Sequence, residues 1–328
     1  MTVTIRDLAK LAGVTHSTVS KALNNEPGVS EETRKKIMKL ANQLNYIPNL
    51  AAKRLAQGKT NTIGLIWPNW EGQFFYHLSA SIQKEAAKRG YDVILTMADI
   101  AHGMKIFNQQ FVDSIICWLW PAWTPDFEFV REAERFSGSL LFMGGASRRQ
   151  EGHSLLIDRR KGIYEAVSHL ASLGHRRIAF LGSQQDKLAG FMQGIAEFRL
   201  DYRPYYFIDS TEPDNEKRIA ELLKSEDKPT AIVSDSQYAT FILMQMLRKC
   251  AVKVPDDLSV IVYDDIPEMG MFEVPMTSIG PSIRQLSERA LQILTEPGKE
   301  GETKLVSEEL EPNITIRESV RAIVPAAN

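Results

Sequence analysis

IRDLAKLAGVTHSTVSKAL, residues 5–23, predicts two short helices joined by a tight turn. Apolar residues recur at spacings of three and four in both halves, so each half has one stripe to bury. Gly13 lies between them, where the chain must turn and a positive φ is easily adopted. Thr4 and Thr15 precede the two helices and can cap them through their hydroxyl oxygens. The pattern is that of a helix-turn-helix, and a plain helical hairpin within an α/β domain is the alternative.

The second helix of this pair presents short polar side chains and one cation. They are His16, Ser17, Thr18, Ser20 and Lys21. Side chains of these types contact base edges and phosphate oxygens in the major groove of DNA. The second helix is therefore a candidate DNA-reading helix.

Charge is unevenly distributed along the chain. Residues 1–60 contain ten Lys or Arg and four Asp or Glu, whereas the remainder contains 29 basic and 37 acidic residues. A basic segment on an acidic body indicates a polyanionic partner for that segment only. Because the excess of positive charge coincides with the helix-turn-helix, it favours DNA binding over the hairpin alternative.

Two further segments follow the helix-turn-helix. Ser30 begins a third helix that runs to about Asn45 and completes a small three-helix core. Residues 49–56 then form a segment barely two turns long, which is marginal as an isolated helix. It is either a plain linker or a hinge that folds only on DNA, with Leu55 wedged into a base step and Lys53 at a phosphate.

From Thr62 onward, short apolar runs alternate with amphipathic helical stretches. The predicted strands are Ile63–Trp67, Asp92–Thr96, Ser114–Trp118, Leu140–Phe142, Arg177–Leu181, Ala231–Ser234 and Ser259–Val262. The predicted helices are Phe74–Lys88, Lys105–Phe111, Arg159–Leu173, Leu188–Phe198, Asn215–Lys224 and Tyr238–Lys249. This alternation indicates parallel, doubly wound sheets. The number of units exceeds one sheet, so we expect two successive subdomains with a crossover near Leu156–Arg160.

Composition excludes several classes of protein. Hydrophobic residues make up 44% of the chain, an ordinary share, and no apolar run approaches the roughly 18 residues of a membrane span. The N-terminus has no signal-peptide core, so we expect a cytoplasmic protein without a membrane partner. Cys117 and Cys250 lie far apart in apolar surroundings and are expected to be reduced core residues. No residues have metal-ligand spacing, and we expect no cofactor.

Three longer segments carry a family pattern. They are TIRDLAKLAGVTHSTVSKALNNEPGVSEETRKKI (Thr4–Ile37), YIPNLAAKRLAQGKTNTIGLI (Tyr46–Ile66) and HLASLGHRRIAFLG (His169–Gly182), with weaker matches at Ile232–Ala239 and Val262–Asp265. Together they resemble the LacI/GalR family of bacterial transcription regulators. The first resembles the DNA-binding domain of that family, the second its hinge helix, and the third the start of its C-terminal subdomain.

The resemblance implies a homodimeric repressor that binds a near-palindromic operator in double-stranded DNA. It also implies an N-terminal α-helical helix-turn-helix domain and an α/β effector domain of two doubly wound parallel-sheet subdomains, like those of periplasmic binding proteins. The expected domains are 1–46 for DNA binding, 47–60 for the hinge helix and linker, and 61–328 for effector binding and dimerisation. Within the last, the N-subdomain takes in about 61–158 and 283–310, and the C-subdomain about 159–282 and 311–328.

The resemblance also assigns residues to DNA. The base-reading positions carry over to Thr15, His16, Ser17 and Lys21, and the minor-groove wedge to Leu55. The remaining expected DNA contacts are Thr4, Thr18, Ser20, Asn25, Asn49, Ala52 and Lys53.

A small carbohydrate-like effector is expected in the cleft between the subdomains, where the chain departs from the family pattern. Lys187 stands where relatives often have an Arg that holds sugar hydroxyls, and lysine cannot reproduce that two-pronged contact. Asp235-Ser236 replaces an Asn-Asp pair, and Asp264 matches an acidic pocket residue. We therefore expect Lys187, Asp235 and Asp264 in a pocket whose polar groups have been changed.

All five tryptophans lie in the first half of the effector region. They are Trp67, Trp70, Trp118, Trp120 and Trp123. Residues that follow strands face the cleft in doubly wound folds, so Trp67 or Trp70 with Phe74 is the favoured aromatic wall for a sugar ring. Packing in the core is the alternative for each of them. Asn69, two residues past the first strand, is a candidate ligand for a hydroxyl group.

Two other functions compete with the repressor. A sugar-binding protein without a DNA function is disfavoured by the basic N-terminal segment. An enzyme is disfavoured because the chain contains no GxGxxG, GxxxxGK[ST], GxSxG or HExxH motif.

Overall fold

The computed structural model describes residues 3–46, 59–69, 72–145, 148–296 and 305–323. The chain divides into two compact units, Met1–Thr60 and Asn61–Asn328, and each has a hydrophobic core of its own. The predicted hinge residues Asn49, Ala52, Lys53 and Leu55 lie outside the described residues, as does Trp70. None of the described helices has the length and apolar composition needed to span a bilayer.

The N-terminal unit contains three helices: α1 (Ile5–Ala12), α2 (His16–Leu23) and α3 (Glu31–Gln43). The predicted N-caps Thr4, Thr15 and Ser30 are confirmed, because each side-chain oxygen accepts a hydrogen bond from a backbone N–H in the first turn of its helix. Gly13 has φ +69°, as the predicted turn requires. The helix-turn-helix prediction is therefore correct in its local detail.

The core of this unit is small, and two cations of α3 help to close it. Buried Leu8, Val19 and Ile37 contribute its large side chains, and the other fully buried positions are alanines. Arg34 donates to the carbonyls of Ala22 and Glu26 at 3.2 and 2.8 Å, and Lys36 donates to the carbonyl of Ala12 at 3.0 Å. These carbonyls lie at or just beyond helix ends, where intrahelical donors are lacking. Two of the basic residues counted as a DNA signal are therefore used inside the unit.

The second unit contains two six-stranded sheets. The strands are β1 (Thr62–Trp67), β2 (Asp92–Met97), β3 (Ser114–Trp118), β4 (Ser139–Met143), β5 (His153–Ile157), β6 (Ile178–Leu181), β7 (Phe207–Ile208), β8 (Ala231–Ser234), β9 (Ser259–Tyr263), β10 (Thr277–Gly280), β11 (Ser307–Leu310) and β12 (Asn313–Thr315). The first sheet has the order β11-β5-β4-β3-β1-β2 and is parallel throughout. The second has the order β12-β10-β9-β8-β6-β7 and is parallel except for β12, which pairs antiparallel with β10.

Helices follow most of these strands. They are α4 (Gln73–Lys88), α5 (Ile100–Gln110), α6 (Phe127–Arg135), α7 (Arg159–Ser172), α8 (Gln185–Glu197), α9 (Asn215–Lys224), α10 (Gln237–Lys249) and α11 (Ile283–Thr295), with short 3₁₀ helices at Pro204–Tyr206 and Pro267–Gly270. The prediction of two doubly wound subdomains is confirmed. Each buries apolar strands beneath helices, which is why the strands have continuous apolar runs.

Several elements were missed or displaced in the sequence prediction. Strands β5, β7, β10, β11 and β12 and helices α6 and α11 were not predicted. Helix α5 begins at Ile100, five residues before the predicted start, because Asp99 caps it. The crossover predicted near Leu156–Arg160 is confirmed, because β5 ends at Ile157 in the first sheet and the chain continues through α7 to β6 in the second. Cys250 is half-buried rather than a core residue, whereas Cys117 is buried; both thiols are free.

The chain passes between the two sheets more than once. It leaves the first sheet after β5, returns after β10 through α11, which packs on α4, and crosses again between β11 and β12. One large cluster of buried apolar side chains includes residues from both sheets. The carboxyl ends of strands from both sheets therefore meet around one cleft.

Candidate functional site

The candidate DNA-reading surface lies on α2. Thr15, His16, Ser17 and Lys21 are exposed, whereas Thr18 and Ser20 are half-buried. The hydroxyls of Thr15 and Thr18 lie 2.9 Å apart and hydrogen-bond to one another, so Thr18 is partly used in capping the helix. Asn24 Nδ2 lies 3.5 Å from Ser20 Oγ. The groups left available to a partner on this helix are His16, Ser17 and Lys21.

Two flanking residues also carried a DNA prediction. Thr4 is exposed, but its backbone N–H and its hydroxyl both donate to the carboxylate of Asp7, at 2.9 and 2.7 Å. Asn25 is exposed and has φ +56°, in the left-handed region that Asn tolerates. Both side chains are therefore accessible to a partner, and the structural role of Thr4 is to cap α1.

A cavity of about 880 Å³ lies between the two sheets of the second unit. Its lining residues follow the carboxyl ends of strands from both sheets, the usual place for ligands in doubly wound folds. One side, here called the aromatic wall, consists of Phe74, Phe75, Trp118, Trp120, Pro121 and Ala122. The opposite side, here called the polar wall, includes Arg159, Asp186, Lys187, Gln237, Tyr263 and Asp264.

The aromatic wall is a packed cluster of rings. Trp118 lies 5.3 Å from Phe74 and 5.3 Å from Phe75 between ring centroids, in edge-to-face arrangements. Trp118 and Phe74 are largely buried, whereas Trp120 is 37% exposed. Such edge-to-face clusters stabilise one another and leave flat apolar faces for a ligand ring.

Trp67 and Asn69 do not line this cavity, which corrects two sequence predictions. The indole of Trp67 is buried behind the aromatic wall, with its ring centroid 6.4 Å from that of Trp118. Its N–H donates to Ser79 Oγ at 2.7 Å. Asn69 is exposed and lies outside the lining set. Trp118 lines the cavity instead, because the sequence does not reveal which of two strand-end tryptophans faces inward.

Lys187 lies at the polar wall and is 2% exposed. Its ammonium donates to the backbone carbonyl of Asp235 and sits 3.5 Å from the centroid of the Tyr263 ring. Burial lowers the pKa of Lys187, although nearby carboxylates, chiefly those of Asp235 and Asp264, oppose this. The lysine is therefore held in place by a carbonyl and an aromatic face.

Asp235 has a supporting position behind the polar wall. It is buried, and its Oδ2 accepts hydrogen bonds from the backbone N–H groups of Ser183 and Gln184 at 2.8 and 3.0 Å. A side chain at Gly182 would overlap the carboxylate, so glycine is required for this close approach. Asp235 was expected to contact the effector, but it orients the loop before α8 instead and does not line the cavity.

Asp264 lines the cavity directly after β9 and has φ +75°, an uncommon conformation for a non-glycine residue. Burial raises its pKa, while the ammonium of Lys187 and the amide of Gln237 lower it. Gln237 Nε2 lies 3.5 Å from Asp264 Oδ2, and Gln237 Oε1 accepts from the backbone N–H of Gln73 at 2.8 Å. Gln237 thus joins the carboxylate to the start of α4, an element on the opposite side of the cleft.

Two donors of the polar wall have no hydrogen-bond partner among the described residues. Arg159 is 6% exposed, and its Nη1 makes no hydrogen bond; the Oδ2 of Asp186 is 3.9 Å away, beyond hydrogen-bond distance. The buried hydroxyl of Tyr263 also lacks a partner. Burial raises the pKa of this phenol, which keeps it protonated. Arg159 and Tyr263 were not predicted as site residues, and the signal for Arg159 was its place two residues after the end of an apolar strand.

Of the seven residues predicted to bind the effector, Phe74, Lys187 and Asp264 come together at the cavity. Gly190 and Phe191, which follow Lys187 in α8, serve packing: a side chain at Gly190 would strike the backbone of Arg160 in α7, and Phe191 is buried in the core. Buried His175 is bonded on both ring nitrogens, to Thr230 and to the carbonyl of Arg321, so it has a structural role. Within the described ranges, no cluster of three or more His, Cys, Asp or Glu residues is placed to hold a metal.

Comparisons with known proteins agree with both parts of this description. Residues 4–49 match the family of bacterial regulatory proteins of the lacI type, and residues 167–320 match the periplasmic binding protein-like domain. The transcriptional repressor PurR of Vibrio parahaemolyticus is 28% identical over 333 residues, covering 98% of this chain and 99% of PurR. PurR of Mannheimia succiniciproducens is 27% identical over the same length.

Solved structures show the same fold. The lac repressor dimer bound to operator and the anti-inducer ONPF matches with a TM-score of 0.80 at 23% identity, over 98% of this chain and all of that one. The regulator CelR in complex with cellobiose matches with a TM-score of 0.65 at 22% identity, over 97% and 99% of the two chains. The chain is a LacI-family regulator, with a lacI-type helix-turn-helix domain followed by a periplasmic-binding-protein-like domain.

Proposed function

We propose that this regulator represses transcription by binding a near-palindromic operator as a homodimer, and that a small carbohydrate-derived effector in the cavity controls its affinity for DNA. The observation that carries the proposal is the exposed row of His16, Ser17 and Lys21 on a helix whose own caps and core are complete. These side chains make no hydrogen bond or ion pair within residues 3–46. A DNA-binding regulator acts in the cytoplasm of a bacterium, where we expect this chain.

Mobility-shift titration against the chain's own upstream region, at fixed salt, tests DNA binding. Replacing His16 or Ser17 with Ala should change base preference at one operator position, by about 1–3 kcal/mol for a good contact. Lys21→Ala should weaken binding more evenly across sequences and reduce its salt dependence. Lys217→Ala, whose side chain is 76% exposed in the second unit, is the control. If both variants keep the base preferences of the parent chain, His16 and Ser17 do not read the bases of the operator.

The hinge proposal concerns residues 49–56 and has its own test. We propose that this segment folds on DNA and that Leu55 wedges into a base step. Leu55→Ala should weaken operator binding while the second unit keeps its unfolding transition. Operator affinity equal to that of the parent chain would exclude the wedge.

Effector control is proposed from the cavity. Ligand contacts to both walls favour a closed cleft, and operator affinity changes by the difference in ligand binding between the two states. Relatives with this fold are solved with cellobiose or ribose, which supports a carbohydrate-like effector here. A thermal-shift screen of mono- and disaccharides, followed by operator titration with each ligand found, tests this proposal. A ligand that raises the melting temperature but leaves operator affinity unchanged would contradict effector control.

Homodimerisation is proposed from apolar side chains exposed in the second unit. On the edge strand β2, Leu95 is 47% exposed and Met97 53%, and Ile94 is also exposed. An edge strand with bare apolar side chains favours association unless it is covered. Leu95→Lys should therefore convert dimer to monomer in sedimentation velocity and weaken operator binding with it. A variant that stays dimeric would place the interface elsewhere.

A sugar-binding protein without a DNA function is the remaining alternative. It predicts ligand binding in the cavity together with no operator affinity at low salt, so the same titration separates the two functions.

A further inference from the structure

We propose that the effector carries an anionic group, a carboxylate or a phosphate ester, which binds at Arg159 and the first turn of α8 while the rest of the molecule packs on the aromatic wall. The inference rests on the proposed effector-binding function of the cavity and specifies the chemistry of the ligand.

Arg159 is the first observation. Its side chain is buried at the cavity, and Nη1 of its guanidinium makes no hydrogen bond within the described part of the chain. The nearest carboxylate, that of Asp186, lies 3.9 Å from Nη1 and is itself 25% exposed. A buried guanidinium with unused donors is unfavourable unless a charged acceptor joins it. Carboxylate and phosphate groups match its planar fork, whereas a hydroxyl accepts from only one prong.

The start of α8 is the second observation. This helix has 13 residues, and its N-cap Gln184 provides no side-chain hydrogen bond to the first turn. Residues 183–187 line the cavity, so this end of the helix faces the same space as Arg159. One first-turn N–H, that of Lys187, already donates to the carboxylate of Asp186 at 2.8 Å. Helix N-termini favour negative charge through their free N–H groups and dipole. Lys187 adds a second positive charge beside them, although its ammonium is already bonded to a carbonyl.

The remaining charges of the cavity agree with one ligand anion rather than several. When Asp186 and Asp264 are both ionised, their charges balance those of Arg159 and Lys187. Burial raises the pKa of Asp264, which reduces its negative charge and so its competition with a ligand anion. The aromatic wall offers no charged group to the ligand. A molecule with one anionic end and a neutral ring is therefore the complement of the two walls.

The test compares matched probes on the full-length protein. Calorimetric or thermal-shift titrations use D-glucose, D-glucuronate and D-glucose 6-phosphate, with inorganic phosphate as a fourth probe and ionic strength held constant. The variants are Arg159→Gln and Arg159→Lys, which retains the charge without the fork. Arg160→Gln is the matched control, because Arg160 is the exposed neighbour on α7 and donates to Gln193 instead.

The parent chain should bind at least one anionic sugar more tightly than glucose, and Arg159→Gln should weaken that binding about 10- to 100-fold. The affinity of Arg159→Lys for this sugar should lie between those of the parent chain and Arg159→Gln. The affinity of Arg160→Gln should equal that of the parent chain. Preference for glucuronate alone identifies a carboxylate site, and preference for glucose 6-phosphate alone a phosphate site. Equal responses of the parent chain and Arg159→Gln, including no response in either, would overturn the proposal.

If inorganic phosphate binds through Arg159 while neither anionic sugar is preferred, the site holds an adventitious ion only, which also overturns the proposal. A second measurement needs no ligand: Arg159→Met should raise the melting temperature of the free protein, whereas a structural arginine would lower it. Operator titration of the same preparations keeps the two proposals apart. Anion preference without operator binding refutes only the repressor, and operator binding without anion preference refutes only this inference.

Discussion

The aromatic wall and the polar wall of the cavity differ in how their side chains are satisfied before any ligand binds. Trp118, Phe74 and Phe75 pack edge to face against one another. On the opposite side, Arg159 Nη1 and the Tyr263 hydroxyl are buried without hydrogen-bond partners in the part of the chain that the structure describes. One wall therefore contributes to the stability of the free protein, whereas the other keeps binding groups ready at a cost in stability.

Trp118→Ala tests the stability contribution of the aromatic wall and should have the largest effect. Removing a buried indole that packs on three other rings should lower the free energy of unfolding by about 3–5 kcal/mol, measured by urea denaturation. Trp120→Ala is the control, since this ring is 37% exposed and should matter much less. Equal losses at the two positions would show that the wall is not a packed unit.

Asp235→Ala tests the support beneath the polar wall. The change removes the acceptor for two backbone N–H groups, of Ser183 and Gln184, and should lower the free energy of unfolding by about 2–3 kcal/mol. Asp209→Ala is the matched control, because its carboxylate accepts from the backbone N–H of Thr211 in an exposed turn. If both aspartates prove equally dispensable, the polar wall does not depend on this buried anchor.

The link between the two subdomains should be sensitive to acid. His77, on the helix that carries Phe74, contacts both carboxylate oxygens of Glu268 at 2.9 Å, and Glu268 lies in the other subdomain. Burial alone would raise the pKa of Glu268, but the hydrogen bond to His77 lowers it below its ordinary 4.5. Because the pKa of Glu268 is lower in the folded protein than in the unfolded chain, its ionised form adds stability at pH values above the unfolded pKa. This stability is lost as the pH falls through the folded pKa.

Glu268→Gln should therefore be less stable than the parent chain above pH 4.5, and the difference should shrink below it. Partly exposed pairs of this kind contribute about 0–1 kcal/mol. Urea midpoints between roughly pH 3 and pH 7 measure the difference. In a His77→Ala background the pH-dependent part should vanish; if it persists there, Glu268 is stabilised by another group.

Tyr263→Phe should have the smallest effect on stability. The sign of this effect distinguishes the polar wall from the aromatic wall. Because its hydroxyl has no partner among the described residues, the change should leave the free energy of unfolding unchanged or raise it slightly. Tyr206→Phe is the matched control: its hydroxyl donates to the carbonyl of Asp227, so this change should lower stability by about 0.5–1.5 kcal/mol. A clear loss of stability in Tyr263→Phe would mean that the polar wall is already satisfied.

Local signals in the sequence were sufficient for the helix-turn-helix. Thr4, Thr15 and Ser30 cap their helices, and Gly13 turns the chain as expected, because capping and turn geometry depend on neighbours within four residues. Strongly apolar strands such as β3 and β8 were located at their true bounds for the same reason. The missed strands β11 and β12 are edge strands with mixed composition, Ser307–Leu310 and Asn313–Thr315, and their pairing partners are far away in sequence.

By itself, the sequence determined the helix-turn-helix, the repeated β–α alternation and the family to which the chain belongs. Only the tertiary structure decided which side chains face the cavity: Trp118 rather than Trp67, Arg159 in addition to Lys187, and Asp235 as a support rather than a lining residue. The physical reason is that parallel strands are buried on both faces, so their apolar sequences do not reveal which direction a residue at the strand end will point. That direction is fixed by packing between segments that are distant in the chain.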